Sequence, residues 1–315
     1  MISMRKYFKA HFNNLYKLLH DVKIRVLSLI GKKNQLFIIE YWYKTLHGRD
    51  IDLENPKDFD EKINWLKLYS DTSLWSRCAD KYGVREYVAE HGLSHVLNEL
   101  YGVYDNADEI DFDCLPNSFV IKTTNGGGGK TVMIVKDKSE IDVKKTRKTL
   151  NKWLKTPVSY LYGEYHYSKI KPRLIIEKYL QPLPGEKSLI DIKINCFNGE
   201  PYSVFCCSDR QLGNSVCYSV YDLNWKFYPS YITENHRTDA VFPKPVSFGK
   251  MLEYSRALSK GIPFVRVDWY EIEDNPIFSE LTFTPGAGFC VFYSDEYLLE
   301  LGDRLILPPK KMLSK

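Results

Sequence analysis

Hydrophobic positions follow helical spacing in the first third of the chain and mostly alternation afterwards. Phe8, Phe12, Leu15, Leu19, Val22, Val26 and Leu29 recur at spacings of four and three, which predicts one apolar stripe on a helix. Arg5, Lys6, Lys9, Lys17 and Arg25 fall elsewhere on its surface. Such a basic amphipathic helix packs on its own domain or a partner helix, or it lies on an anionic membrane surface. Asn55-Pro56 reads as a turn into a second helix whose buried face is Phe59, Ile63 and Leu66. A third helix is predicted from Ser76 to Ala89, stopping at Gly92, with Lys81 and Arg85 four apart on one face. That pair forms either a cationic ridge or a solvated face with Glu86 and Glu90 nearby.

After Leu115-Pro116 the pattern changes to strands. Phe119 to Lys122 runs into Asn125-Gly126-Gly127-Gly128-Gly129-Lys130, and Thr131 to Val135 returns. A charged helix follows from Asp137 to Lys155, then a strand from Arg173 to Leu180 that breaks at Gln181 to Gly185. Leu189 to Phe197 and Pro201 to Cys207 flank Asn198-Gly199-Glu200, a hairpin signal, and Asp191 and Lys193 share one face of the first of these strands. Val265 to Tyr270 and Ile277 to Phe283 form a last pair around the turn Glu273 to Pro276.

The two-residue period of that last pair carries chemistry. Arg266 and Asp268 point to one side of their strand, and Glu280 and Thr282 share a face of the next. If the strands pair as a hairpin, Asp268, Glu280 and Arg266 converge. Two carboxylates at close quarters repel unless a cation lies between them, and hard oxygen ligands favour Mg2+ with a nucleotide's phosphates completing the shell. The alternative is a surface hairpin with solvated charges. The four glycines at 126 to 129 can turn backbone N–H groups towards an anion, so phosphate binding is preferred over a loose hairpin tip. The loop is not a Walker A motif, because Thr124 stands where a glycine is required and a strand follows instead of a helix. Thr131 likewise breaks the dinucleotide-binding GxGxxG pattern.

Composition narrows the reading. A chain of 315 residues with 44% hydrophobic and 27% charged content is a globular protein long enough for two or more packed subdomains. Seven cysteines form no CxxC pair, and a reducing cytoplasm fits them; Cys206-Cys207 reads as a buried pair of thiols. No apolar run suffices to span a bilayer. The net charge of +4 is uneven: residues 1–33 hold eight Lys or Arg against Asp21, so they carry +7 and the remainder −3. A slightly acidic body argues against a nucleic-acid partner.

A lysine strand with a glycine loop, then IIEKYL, a D-x-K strand, R-x-D, and E-x-T with Pro-Gly resembles the ATP-grasp superfamily. NPKDFDEKINWLKLYSD, CADKYGVREYV, LPNSFVIKTTNGGGGK, GEYHYSKIKPRLIIEKYL and DIKINCFNGEP together look like the TupA-like ATP-grasp proteins found with bacterial surface-polysaccharide and teichuronopeptide genes. The resemblance implies an α+β ATP-grasp fold, two α+β subdomains clasping ATP, with a mainly helical N-terminal region. It divides the chain into a basic helix (1–33), a helical region (34–116), a lid subdomain with the glycine loop (117–180) and a C-terminal subdomain with the metal site (181–315). By this resemblance Lys81 and Lys122 contact ATP phosphates and the loop Asn125, Gly126, Gly127, Gly128, Gly129 and Lys130 closes over them. Glu177, Lys178, Tyr179 and Leu180 form the adenine hinge, and Asp191 holds the ribose. Asp268 and Glu280 bind Mg2+, with Thr282 where many relatives have asparagine; Arg266 stabilises the transferred phosphoryl group, and Lys193 and Arg210 face the acceptor or γ-phosphate. The implied reaction is carboxylate activation as an acyl phosphate followed by amide formation. The implied partners are a uronic acid of a cell-surface glycan or its lipid-linked precursor, and an amino acid or amine. A cytoplasmic enzyme is expected, tethered at the inner membrane face by residues 1–33. A phosphotransferase on a glycan hydroxyl, a glycosyltransferase and a non-catalytic nucleotide-binding partner are the alternatives.

Overall fold

The structure is a computed structural model that describes residues 13–127, 129, 131–156, 160–182, 188–208, 216–238 and 240–311, with side chains from residue 18 onward. Gly128, Lys130 and Arg210 lie outside the described residues, as do Arg5, Lys6, Phe8, Lys9 and Phe12 and the side chains of Leu15 and Lys17.

Helices occupy the first part: α1 (Asn13–Lys33), α2 (Gln35–His47), α3 (Phe59–Tyr69), α4 (Ser73–Ala79) and α5 (Gly83–Glu90). Asn34 caps α2 by accepting from Phe37 N, and Asp58 with Glu61 builds a reciprocal capping box on α3. The single helix expected from Ser76 to Ala89 is instead two, α4 and α5, broken at Asp80 to Tyr82. Asp80 Oδ1 accepts from Tyr82 N at 2.9 Å, offering the backbone a turn in place of a helix. Gly83 allows the kink, since a Cβ there would sit 2.8 Å from the Arg77 carbonyl oxygen. Lys81 is therefore in a turn and does not share a helix face with Arg85.

The first sheet has strand order β1-β4-β2-β3, all antiparallel: β1 (Leu100–Tyr104), β2 (Phe119–Thr123), β3 (Val132–Val135) and β4 (Leu174–Lys178). Strand β1 joins from the segment that the hydrophobic pattern left among helices. Phe119, Ile121, Leu174 and Ile176 pack with Leu150 of α6 (Val143–Leu154) and with Ile110 and Phe112. Alternation then puts Lys122 and Glu177 on the opposite face.

The second sheet is also antiparallel, ordered β7-β6-β5-β8-β9: β5 (Asp191–Phe197), β6 (Glu200–Ser208), β7 (Cys217–Asp222), β8 (Phe264–Ile272) and β9 (Asn275–Thr282). Asn198 and Gly199, and again Glu273 and Asp274, have positive φ, the backbone of two-residue hairpin turns. Pro276 is tolerated because β9 is an edge strand. Ile192, Ile194, Val265, Val267 and Trp269 face a core completed by α7 (Phe248–Ser259), while α8 (Asp295–Arg304) packs on α3 and bonds Ser203 of β6 through Tyr297. Cys206 and Cys207 are buried, and all seven cysteines are free thiols.

Candidate active site

Strand register assembles one half of the site. Lys193 lies opposite Asp268 and Asp268 opposite Glu280, a row across β5, β8 and β9; Asn195, Arg266 and Thr282 form the adjacent row. Asp268 is fully buried, with its Oδ1 accepting from Arg266 Nε at 2.7 Å. Its Oδ2 accepts from Arg266 Nη2 at 2.7 Å and from Lys193 Nζ at 2.6 Å. Lys193 also lies 3.5 Å from Asp191 Oδ1. Burial alone would lower its pKa, but Asp191 and Asp268 outweigh that and raise it. Arg266 is likewise buried, yet Asp268 and Glu280 raise its pKa, so it stays a fixed cation. Thr282 Oγ1 accepts from Arg266 Nη2 at 3.1 Å and donates to Glu280 Oε1 at 3.2 Å, so its hydroxyl bridges cation and carboxylate.

The other half comes from the first sheet. Lys122 Nζ donates to Glu177 Oε2 at 2.9 Å, and Arg85 Nη1 to Glu177 Oε1 at 3.0 Å. Glu177 thus anchors the strand lysine from the next strand. Lys178 N donates to Glu99 O at 3.0 Å and its carbonyl accepts from Asn98 Nδ2 at 2.9 Å, while Tyr179 and Leu180 lie half-buried beyond the strand end. The turn that breaks α4 from α5 docks on the root of the glycine loop: Lys81 N donates to Thr124 O at 3.0 Å, and Lys81 Nζ donates to Gly126 O. Burial lowers the Lys81 pKa, Glu280 and Glu177 oppose that, and Lys122 adds to it, so Lys81 lies in the field of both halves. Gly126 is required by close approach. A Cβ there would meet Thr131 Oγ1 at 2.0 Å and Thr123 Oγ1 at 2.5 Å, the two hydroxyls that pair at 2.6 Å across the loop mouth. Asn125 is half-buried beside it, and Gly127 and Gly129 are exposed.

The pattern assigned no role to a further polar group. Asp60, Asn64 and Lys67 sit at helical spacing on α3 and are all buried. Lys67 Nζ donates to Asn64 Oδ1 at 2.7 Å and to the Tyr162 and Ala287 carbonyls, each at 2.8 Å. Asn64 Nδ2 donates to Gly288 O at 2.7 Å, and Cys290 N to Asp60 Oδ2 at 2.7 Å. These bonds clamp residues 285–290, where Gly286, Ala287 and Gly288 are all left-handed, just past β9. Glu164 accepts from Thr284 Oγ1 at 2.6 Å; burial raises its pKa, and Lys67 and Thr284 offset part of that rise. The Tyr167 pKa is raised by burial, by Glu164 and by Glu280, and lowered by Arg266, so Tyr167 lies in the field of the Arg266 centre. The signal was the four-and-three spacing of Asp60, Asn64 and Lys67 beside the apolar stripe, which by itself reads as an exposed face.

Mg2+ is implied by the family resemblance. Among the described residues no group of three or more His, Cys, Asp or Glu is arranged to hold a metal. Asp268 and Glu280, opposite one another, supply hard carboxylate oxygens, and Glu280 is 41% exposed at its side chain. Of the pair Glu280 is the accessible carboxylate; Asp268, fully buried with both oxygens on Arg266 and Lys193, fits as a Mg2+ ligand only where one of those cations turns to phosphate instead.

Paired antiparallel sheets carrying lysines and a glycine loop on one side and an Arg-Asp-Glu row on the other define an ATP-grasp protein, a class of ATP-dependent ligases. The family model described as TupA-like ATPgrasp matches residues 61–306, and the chain belongs to that family. It is also similar to the solved structure of D-alanine-D-alanine ligase from Bacillus anthracis, at 15% identity and a TM-score of 0.45, covering 84% of this chain and 69% of that one. The same enzyme complexed with ATP gives 14% identity and a TM-score of 0.42, with 84% and 74% covered. D-Alanine-D-alanine ligase from Helicobacter pylori gives 16% and 0.44, with 81% and 68% covered. No curated protein matches the sequence.

Proposed function

We propose that the protein is an ATP- and Mg2+-dependent carboxylate-amine ligase that joins an amino acid or amine to a uronic acid of a bacterial surface polysaccharide or its precursor. The observation that carries the reading is Lys81, which donates to Gly126 O at the glycine loop and lies in the field of Lys122 and Glu177 of the first sheet and of Glu280 of the second, whose row with Asp268 and Lys193 has Arg266 beside it. In this reading Lys81, Lys122 and the loop at 125–130 bind the phosphates of ATP. Glu177 and residues 178–180 border the adenine, and Asp191 the ribose. Asp268 and Glu280 would hold Mg2+, which supplies charge neutralisation on the β- and γ-phosphates. Arg266, aimed by the two hydrogen bonds it donates to Asp268, faces the group whose charge grows during transfer.

A carboxylate oxygen of the acceptor attacks the γ-phosphorus, the bond to the β-phosphate oxygen breaks, and ADP leaves. The amine nitrogen then attacks the acyl carbon, inorganic phosphate departs with its bonding pair, and the amine proton passes to solvent. The protein's part is positional, because holding the reactants in line removes most of the entropic barrier. Glu164, on the segment whose Tyr167 lies in the field of Arg266, would supply a counter-charge to the amine substrate. The uronic acid follows from the family's association with surface-polysaccharide and teichuronopeptide genes.

The test incubates the protein with ATP, Mg2+ and a panel of uronic acids, with and without pooled amino acids, and measures ADP and free phosphate. Both products are expected, dependent on a uronate and an amine and abolished by Glu280→Gln. ADP without free phosphate would replace the ligase with a phosphotransferase, and nucleotide-sugar cleavage without ATP would replace it with a glycosyltransferase.

A further inference from the structure

Helix α1 uses the face opposite its predicted stripe to pack. Ile24, Leu27 and Gly31 meet Ile38, Leu161, Tyr41, Trp42 and Tyr162, and Ser28 Oγ accepts from Tyr160 N at 3.1 Å. Gly31 permits this contact, because a Cβ there would lie 2.3 Å from the Tyr160 carbonyl oxygen. Leu18, Leu19, Val22, Val26, Leu29 and Ile30 point the other way and are each 36% to 65% exposed. At about 100° per residue they fill an arc of about 120°. Arg25 and Lys32 border one edge of that arc and Lys23 the other. Leu36 and Phe37, at the start of α2, extend the exposed apolar surface.

We infer that this face of α1 is a docking surface for an anionic lipid membrane. Charge selects the occupant. Residues 1–33 carry eight Lys or Arg and one acid, whereas the remainder is −3, so an anionic surface attracts this end and repels the body. A second copy on the same face would bring two +7 segments together, which opposes a symmetric dimer. No described helix is long and apolar enough to cross a membrane, so α1 lies in the interface with its apolar arc down and its basic flanks at the headgroups. The segment against which α1 packs, 160–165, also carries Glu164. Docking therefore holds the acceptor side of the cleft next to the bilayer, which suits a lipid-linked acceptor; this last point rests on the proposed reaction, and the docking does not.

The test is co-sedimentation of the full chain with vesicles of phosphatidylcholine alone and of phosphatidylcholine mixed with phosphatidylglycerol. Binding is expected to the anionic vesicles only and to weaken with salt. Val22→Asp with Leu29→Asp should reduce it by at least about tenfold, and Arg25→Glu with Lys32→Glu comparably. Circular dichroism and ATP binding should be unchanged, because all four side chains lie away from the packed face. No pelleting with anionic vesicles, or pelleting that both variants leave intact, would overturn the inference. So would a dimer of the wild type that Val22→Asp converts to a monomer, which would assign the face to self-association. Loss of ligase activity with retained vesicle binding would count against the proposed reaction and leave the docking standing.

Discussion

Asp268 is the residue whose replacement best tests the architecture of the site. Its two oxygens receive three hydrogen bonds of 2.6 to 2.7 Å from two cations, and neither cation is more than 9% exposed at its side chain. Asp268→Asn keeps the shape and one acceptor but withdraws the charge and turns an amide N–H2 towards Arg266 or Lys193. Hydrogen bonds to charged groups contribute about 1.5–3 kcal/mol each, but they are not additive here because the carbonyl retains part of them. Leaving a buried charge without its partner costs about 3–5 kcal/mol, and Asp191 and Glu280 recover some of that, so a loss of about 3 kcal/mol is expected. Glu280→Gln is the contrast. Its side chain is 41% exposed, and its stability effect should stay within about 1 kcal/mol. Urea unfolding of wild type and both variants measures this, with an unchanged slope showing that the same surface is exposed. Both variants should lose ATP turnover, and Asp268→Asn alone should lose stability. A stability loss under about 1 kcal/mol for Asp268→Asn would mean that Arg266 and Lys193 do not depend on it, and the idea that the three-strand row aims Arg266 would fall.

Other consequences can be checked independently. Gly126→Ala forces apart the Thr123 and Thr131 hydroxyls, and should raise the KM for ATP by about tenfold; adding Thr131→Ala should recover part of that, and equal defects in the single and double variants would contradict the steric account. Glu164→Gln should raise the KM for the amine with little change in that for ATP; a reversed pattern would remove Glu164 from the acceptor side. His166 is buried against Trp75, and burial, with Lys67, holds its pKa down to about 3, whereas the unfolded chain protonates near 6.5. The unfolded state therefore binds the extra proton between those values, and stability is lost as pH falls below 6.5, by about 1.4 kcal/mol per unit until the folded group titrates. His166→Phe should flatten the pH dependence of the urea midpoint between pH 6 and 4.5 by about 2 kcal/mol, and parallel profiles would show that His166 is not buried neutral.

That Arg266, Asp268 and Glu280 meet across a hairpin was legible in the chain. Alternation put Arg266 and Asp268 on one face and Glu280 and Thr282 on another, but the register set by the two-residue turn at Glu273-Asp274 leads to Ser279 opposite Asp268; an irregularity between Asp268 and Trp269 shifts the pairing by one residue and brings Glu280 there, which a period of two does not encode. The strand, glycine loop and returning strand were legible because those two strands pair without a shift. Lys193 joins the Asp268 row only because β5 pairs with β8, a contact between residues 75 positions apart that no local pattern encodes.

Three features belonged to tertiary structure alone. The break between α4 and α5 depends on the turn at Asp80 to Tyr82 finding Thr124 and Gly126, which a helical period cannot anticipate. Asp60, Asn64 and Lys67 carry the spacing of a solvated face, yet they are buried because residues 285–290 return with carbonyls and an N–H that need partners. For α1 the sequence determined a helix, an apolar stripe and a strongly basic charge. Which side would be covered was decided by the close fit of Gly31 and Ser28 to the 160–165 segment, because side-chain size at a contact sets how near two backbones can come, while hydrophobic spacing counts only how much apolar surface each face offers.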